Sequence, residues 1–462
     1  MDQDRASAEG QQHGRGKCES SHVTSLALHG TGMLPAGADR VQARIPGGRA
    51  FRRNDACSGP VDSSSPLGAP TVRSFAAYAI VLAMTILPVL ALMLVVRVTS
   101  PWWTPRTRRI LLGLLVAGAL GVTLWSLGAI IHVRWLATAG ASMAAVVSVV
   151  AVPLCVAVPL SALIRAAVRR RTEAPPAAPL SPARRAFLQG AIGAAPALSL
   201  ASSGVGVLSA LPGPRVNAFD LVLPNLPPEL DGLRVLQITD VHIGTFTGLD
   251  HLESGLARVP SPDLVLLTGD IADDLLRLPD ALRMIAALRP RLGAFAVPGN
   301  HEYHRGIAEV LRLHDASDVR LLRSEGLLVH PKLWIAGADD PSNRALGPDE
   351  RLARSVGAAL AGRPDDAASI VLSHRPYGFV PASALGADLT LAGHTHGLQM
   401  ALGGRSVGEA LFPDHYLLGV YERGDSRLYT SAGAGHWFPF RIACPAELPL
   451  ITLRSVAGAR TV

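Results

Sequence analysis

The second half of the chain holds five short apolar runs, and each stops on side chains that bind metal ions or carry protons. Residues 235–238 run into Asp240-Val241-His242, and residues 264–267 into Gly269-Asp270. Residues 294–297 lead to Gly299-Asn300-His301-Glu302, residues 370–372 to His374, and residues 389–392 to Gly393-His394-Thr395-His396-Gly397. In open α/β sheets the loops at the carboxyl ends of the strands converge, so that is where sites are built. Asp240 with His242, and His394 with His396, are two apart, and on an extended strand end such pairs point the same way. The flanking glycines permit the tight turns that gather these ends. A single histidine in such a place is ordinarily structural; here 11 of the 15 histidines fall in this half, and five strand ends repeat the pattern. Carboxylate, amide and imidazole ligands suit Mn²⁺, Fe²⁺ or Zn²⁺, and the lack of cysteine among them argues against a structural zinc.

In type and order the blocks resemble the calcineurin-like metallophosphoesterase superfamily, over about residues 233–453. The closing stretch with Cys444-Pro445-Ala446-Glu447 is similar to the bacterial membrane-associated branch of that family. That branch has Gly-Gly-Gln after its last ligand, whereas this chain reads Gly397-Leu398-Gln399, which bears on the shape of the substrate pocket. The resemblance implies an α/β fold, a layered sandwich of two mixed β-sheets flanked by helices. It implies two divalent ions, one on Asp240, His242, Asp270 and His396, the other on Asp270, Asn300, His374 and His394, with Asp270 shared. Such ions, roughly 3.5–4 Å apart, activate a shared water and neutralise phosphoryl charge. The implied reaction is hydrolysis of a phosphomonoester or phosphodiester, with His301 giving a proton to the leaving alkoxide. Glu302, Asp273, Asp274, His304 and Arg375 are read as neighbours that tune the ligands rather than as catalysts. His251, His314, His330, His415 and His436 carry no motif and are read as surface or core residues.

The elements that must position these groups follow from the same runs. Residues 235–238, 264–267, 294–297, 333–336, 370–372 and 389–392 read as buried strands, with further strands at 428–430 and 448–453. Helical patterns at 275–288 and 350–361 lie between some of them, which argues for helices layered on sheet.

The first half is of another kind. Residues 1–214 carry 20 Lys/Arg against 8 Asp/Glu, residues 215–462 carry 23 against 28, and the net +7 therefore belongs to the first part. Residues 1–70, rich in Gly, Ser, Ala, Arg and Asp, lack apolar periodicity and read as a disordered tail. Apolar stretches at 76–96, 110–131 and 136–163 are each long enough to cross about 30 Å of hydrocarbon, which makes 71–171 a region of three transmembrane helices. Arg97, Arg106, Arg108 and Arg109 lie between the first two, and Arg165, Arg169, Arg170 and Arg171 follow the third. Only Arg134 lies between the second and third, so the positive-inside tendency puts both clusters in the cytoplasm. The excess cations thus set membrane orientation, and no nucleic-acid partner is expected.

A linker leads to Arg184-Arg185-Ala186-Phe187-Leu188 and a weakly apolar run, so residues 172–213 read equally as a twin-arginine export signal or a fourth membrane helix. Either places the domain at 214–462 outside the cytoplasm. Cys18, Cys57, Cys155 and Cys444 show no CxxC spacing, so neither a zinc knuckle nor a disulfide framework is suggested. Three functional readings remain. The first is a multi-pass cell-membrane protein hydrolysing a phosphate ester, lipid-linked in one version. The second is a non-catalytic, metal-stabilised membrane sensor or scaffold. The third is a cytoplasmic phosphoesterase acting on nucleotides or phosphoproteins, which the basic clusters oppose.

Overall fold

The computed structural model describes residues 72–99, 103–172, 198, 200–342, 348–413 and 415–458. The expected disordered tail at 1–70, most of the linker and the Arg184-Arg185 element lie outside these residues.

Helices stand at all three apolar stretches: α1 (Val72–Thr99), α2 (Pro105–Ile130) and α3 (Arg134–Thr172). Pro105 at the first helical position and Thr104, whose side chain accepts from Thr107 N at 3.2 Å, start α2. Within α2 and α3, the segments Pro105–Ile130 and Arg134–Leu163 are long and apolar enough to cross a membrane. The apolar part of α1 among the described residues is shorter, Leu82–Val98. Small residues let α2 and α3 touch through their backbones. A Cβ on Gly121 would stand 2.9 Å from both Gly140 O and Ala144 N, so no larger residue fits there. The seam is filled by Val89, Leu92, Leu111, Val147 and Ala151. An apolar helix α4, Leu200–Ala210, then leads into the second half.

That half is built on two six-stranded mixed sheets. The first has the order β1 (Arg215–Val222), β14 (Glu447–Arg454), β2 (Arg234–Ile238), β3 (Leu264–Thr268), β4 (Ala294–Val297) and β5 (Val319–Leu321). The second runs β12 (Gly419–Arg423), β13 (Ser426–Thr430), β9 (Leu389–Ala392), β8 (Ala368–Leu372), β7 (Leu333–Gly337) and β6 (Glu325–His330). A two-stranded hairpin, β10 (Ala401–Leu402) with β11 (Arg405–Ser406), completes the strands. β2 to β5 are mutually parallel, as are β7, β8, β9 and β13, so their carboxyl ends come out on common edges.

The layers follow from side-chain alternation. Val235, Leu264, Leu266 and Phe295 of the first sheet face Ile335, Ile370, Leu389 and Leu391 of the second, and this is the central core. The opposite face of the first sheet, with Leu236, Ile238, Val265 and Leu267, is covered by α5 (Leu249–Leu256), α6 (Leu278–Ala286) and, after the short α7 (Asn300–Arg305), α8 (Ile307–Asp315). The outer face of the second, with Ala336 and Val371, is covered by α9 (Pro348–Leu360) and α10 (Phe379–Ala384). A strand buried on both sides has no polar face, which is why residues 264–267 of β3 read as an unbroken apolar run. The fold is the expected one, two mixed sheets flanked by helices. β1, β6 and β12 were not anticipated. Each is an edge strand with much of one side in solvent; β1 and β12 carry no apolar run, and β6 has only the short Leu327-Leu328-Val329.

The central core sets an expected stability change. Leu391 is fully buried between the sheets, so Leu391→Ala should cost about 2–5 kcal/mol through lost transfer energy and the cavity left behind. Denaturant unfolding followed by tryptophan fluorescence reads this out. A loss below about 1 kcal/mol would mean that the two sheets do not share this core.

Candidate metal centre

The five strand ends do meet. Three groups of possible ligand atoms lie within 4.8 Å of one another: Asp240, His242 and His396; His242, Asp270 and His301; and Asp270, His374 and His394. Asn300 joins the third group through Oδ1, 3.1 Å from His374 Nε2. All seven sequence-predicted ligands, and His301, are thus gathered in one place, and Asp270 stands between the two ligand sets.

The backbone is not the extended strand end that the two-residue spacing suggested. β2 stops at Ile238, and Asp240 and His242 have φ of 52° and 51°. Asp270, His394 and His396 are also left-handed, at 55°, 69° and 51°. Asp and His are among the few side chains enriched in this region, but each such residue still costs about 1–3 kcal/mol and must be held. Glu302 is one of the holders. Its buried carboxylate accepts from Asp270 N, Ile271 N and Gly299 N at 2.9, 2.8 and 2.8 Å. Three charge-assisted bonds worth about 1.5–3 kcal/mol each outweigh the strain at Asp270. Burial and the adjacent Asp270 charge push the Glu302 pKa up to about 7, against the pull of these donors. A second holder was not foreseen. Arg441 is fully buried, has no carboxylate partner among its hydrogen bonds, and donates to the carbonyls of Cys444, Ala432, Gly433 and Gly435. It ties down the loop whose Ala434 and Gly435 amides donate to Thr239 O and Asp240 O at 2.8 and 2.9 Å. In that loop Gly433, at φ 83°, comes so near that a Cβ would lie 2.8 Å from Asp240 Cβ and 3.1 Å from His396 Nδ1.

Hydrogen bonding outside the centre fixes which atoms face inward. His374 Nδ1 donates to Thr268 O at 2.8 Å, which leaves the lone pair of Nε2 on the centre. There Nε2 meets Asp270 Oδ2 at 3.2 Å and Asn300 Oδ1 at 3.1 Å, both acceptors. His242 Nδ1 faces Asp273 Oδ2 at 3.4 Å, a charge contact too long for a good hydrogen bond. Its Nε2 lies 3.1 Å from His396 Nε2, which in turn is 3.2 Å from Asp240 Oδ1. His396 Nδ1 has no hydrogen-bond partner at all.

So many buried acceptors around shared points repel unless something positive lies between them. Without a metal, protons take that part. Burial disfavours a charged His374, but the Asp270 carboxylate wins and pushes its pKa up to about 10. Burial would raise the carboxyls of Asp240 and Asp270, yet the surrounding histidines, His396 foremost for Asp240 and His374 for Asp270, hold both well below the usual range. A donor set of oxygens and imidazoles, closed to sulfur, fits divalent ions of the Mn, Fe or Zn kind.

At the rim, His301 Nδ1 lies 2.5 Å from Asp273 Oδ1, and its Nε2 points inward, 3.9 Å from Asp270 Oδ2. The ring is partly open to solvent, with 27% of the side chain exposed. Burial would raise the Asp273 carboxyl, but the nearby His242 ring and the bond to His301 hold it far below its ordinary range. Asp273, read as a neighbour of the ligands, lies against two of the gathered histidines, His242 and His301. Arg375, also read as a neighbour, is anchored on buried Asp340 at 2.9 Å and brings Nη1 to 3.1 Å from His394 Nε2. Burial, His374 and Arg375 together push the His394 pKa down to about 3. Asp340 was missed, although β7 ends on Ala338-Asp339-Asp340 by the same rule that flagged the other strand ends. Arg441 left no sequence signal, since it closes an aromatic run with no motif around it. Among the unassigned histidines, His314 bonds Val319 O and His251 bonds Ala434 O, the structural roles expected of them.

The profile of the calcineurin-like phosphoesterases matches residues 233–398. An uncharacterized metallophosphoesterase of Campylobacter jejuni is 30% identical over 261 residues, 53% of this chain and 65% of that protein. A Danio rerio transmembrane protein with metallophosphoesterase domain is 30% identical over 264 residues, 54% of this chain and 59% of its own. The chain thus spans about two-thirds or less of these two. An Aquifex aeolicus metallophosphoesterase, also uncharacterized, is 30% identical over 247 residues, 52% of this chain and 92% of that one. With the two-sheet fold and the gathered ligands, this shows that the chain belongs to the calcineurin-like metallophosphoesterases.

Because His374 holds a proton at neutral pH when its pKa is about 10, a metal must displace that proton to reach Nε2. Titrating the metal-stripped protein with Mn²⁺ or Zn²⁺ at pH 7.5 should release at least about one proton per chain. Calorimetry in buffers of different ionisation enthalpy measures it, and affinity should rise with pH toward 10. Binding with no proton release would show that His374 is not displaced.

Proposed function

We propose that this chain is a membrane-anchored phosphoric ester hydrolase using two divalent ions. The observation that carries this reading is the pair of acceptor clusters sharing Asp270, with the His301–Asp273 pair at their edge. Asp240, His242, Asp270 and His396 would hold one ion, and Asp270, Asn300, His374 and His394 the other. When bound, such ions lower the pKa of water and neutralise charge on phosphoryl oxygens.

The protein's own groups do the remaining work. Thr268 O keeps the His374 lone pair on the centre, and Glu302 and Arg441 hold the strained turns against relaxation. Asp273 accepts from His301 Nδ1 and so presents Nε2 to the leaving group, where the protonated ring gives its proton to the departing oxygen.

The anchoring rests on surface chemistry. α1–α3 turn large apolar side chains outward, among them Leu94 at 62% exposure, Val116 at 65% and Val156 at 66%, the reverse of a helix bundle in water. Relatives from Danio rerio and Bos taurus are named transmembrane proteins. Arg134, at the turn between α2 and α3, pairs with Asp250 of the phosphoesterase domain at 2.8 Å. The arginine clusters at 97–109 and 165–171 belong to the other end of the helices, so the positive-inside rule supports an extracytoplasmic domain.

Full-length protein, stripped and then reloaded with Mn²⁺, Fe²⁺ or Zn²⁺, should hydrolyse para-nitrophenyl phosphate or its bis-ester, and Asp270→Asn should lower the rate by about 10²-fold or more. Retention of full metal-dependent activity in that variant would refute the ligand assignment, and no turnover by metal-loaded protein would favour a sensor or scaffold. His301→Gln should slow a phosphate ester with an alkyl leaving group by about 10²–10⁴-fold. Para-nitrophenolate needs no proton, so its ester should be affected far less. Equal losses on both would remove His301 as the acid. A phosphatase reporter fused after Val462 should be active only outside the cytoplasm; an active cytoplasmic reporter there would invert the topology.

A further inference from the structure

The edge of the metal centre that faces the membrane helices is apolar, and it is contacted by those helices at a definite depth. Trp125 of α2 packs at a tilt against Phe246 and Phe438 of the phosphoesterase domain, each with ring centroids 5.6 Å apart. Trp125 stands about 7–8 Å along the axis before the last residue of α2, at about 1.5 Å per residue. The level just inside a span's end is where tryptophan gathers in membrane proteins. Two aromatics of the domain therefore sit at interfacial depth. Their neighbours continue the contact: Phe440 lies over Gly206 of α4, and Arg441 N donates to Gly206 O at 2.8 Å.

This docked segment is joined to the loop that leaves the last metal ligands. Met400 bridges Ile442, Ala401 N donates to Ile442 O at 2.9 Å, and the Gln399 amide bonds Phe438 O and Phe440 O. The loop carries Leu402, Leu411 and Phe412 at 80, 75 and 48% exposure, and beside it Trp437 is 55% exposed. Three large apolar side chains this exposed within eleven residues of one loop, 402–412, are unusual for a surface facing water. Leu398, two residues after His396, is 45% exposed and holds a left-handed φ of 53°, where glycine would be free of strain.

We propose that Leu402, Leu411, Phe412 and Trp437 form an apron seated in the bilayer leaflet beside the metal centre. Across it the centre takes a phosphate ester carried by an amphiphile in that leaflet. This rests on the hydrolase reading and names its substrate class. The occupant is lipid because the apron continues a contact that α2 and α4 already make at bilayer depth. A bilayer also accepts exposed leucine, phenylalanine and tryptophan with no matching partner surface.

The test uses full-length protein in nanodiscs of phosphatidylethanolamine, phosphatidylglycerol and phosphatidic acid. A cysteine replacing Leu402 or Leu411 and labelled with NBD should emit to the blue of the same label at Asp365→Cys, in the exposed turn before β8, and should be quenched by spin-labelled lipid. Identical, unquenched emission at all three sites would overturn the apron. Phosphate or headgroup release from the nanodisc lipids should fall about tenfold in Leu402→Asp/Leu411→Asp, a change of about 1.4 kcal/mol, with para-nitrophenyl ester hydrolysis unchanged. An equal rate on lipid in the double variant, or soluble esters turned over with none of the three phospholipids touched, would overturn the substrate class and leave the hydrolase standing. Failure on every ester would instead remove the hydrolase reading, while the NBD emission would still decide whether the apron is in the bilayer.

Discussion

The second half serves one electrostatic constraint: buried ligand atoms must be held facing one another at distances where a proton or a metal ion has to lie between them. His374 Nε2, Asp270 Oδ2 and Asn300 Oδ1 crowd together at 3.1–3.2 Å, and His242 Nε2 and His396 Nε2 face each other at 3.1 Å. Left to themselves, such groups would turn away or draw in water. The protein prevents this with bonds that lie behind the centre: Thr268 O on His374, three backbone amides on Glu302, and a buried guanidinium across four carbonyls. The two sheets exist, from the site's point of view, to bring five chain crossings to one edge rigidly enough for those bonds to reach.

That division explains what could be read in the sequence. The central strands were legible because burial on both faces leaves an apolar run with no competing pattern, and β4 and β9 have the bounds that their runs suggest. The ligands were legible because their chemistry has few substitutes. The edge strands were not, since β1 owes its place to pairing with β14, some 230 residues away, rather than to any local signal. The holders were harder still. Glu302 was visible as a neighbour but its role depends on two amides of a distant turn besides one of its own, and Arg441 depends on carbonyls that only the folded loop presents. The left-handed turns were also hidden, because two residues on a straight strand and two on a tight turn share one spacing.

The first half obeys the opposite rule. Its helices approach closely at glycine and alanine and turn many leucine and valine side chains outward, so close backbone approach carries part of the packing there. At the junction both rules meet in a few aromatic rings, where Trp125 belongs to a helix and Phe246 and Phe438 to the domain. Together with the Arg134–Asp250 pair, they tie the helices to the centre's own edge.

The left-handed ligands also bear on how such a protein can change over generations. Asp, Asn, His and Gly tolerate that backbone, and nearly every other side chain is penalised there. Geometry and metal chemistry therefore filter the same five positions toward the same short list of residues. A lineage that abandoned catalysis would drift first to Asn and Gly, which keep the turns intact while weakening the grip on the ions. Its descendants would fold as before and look, at a glance, like working enzymes.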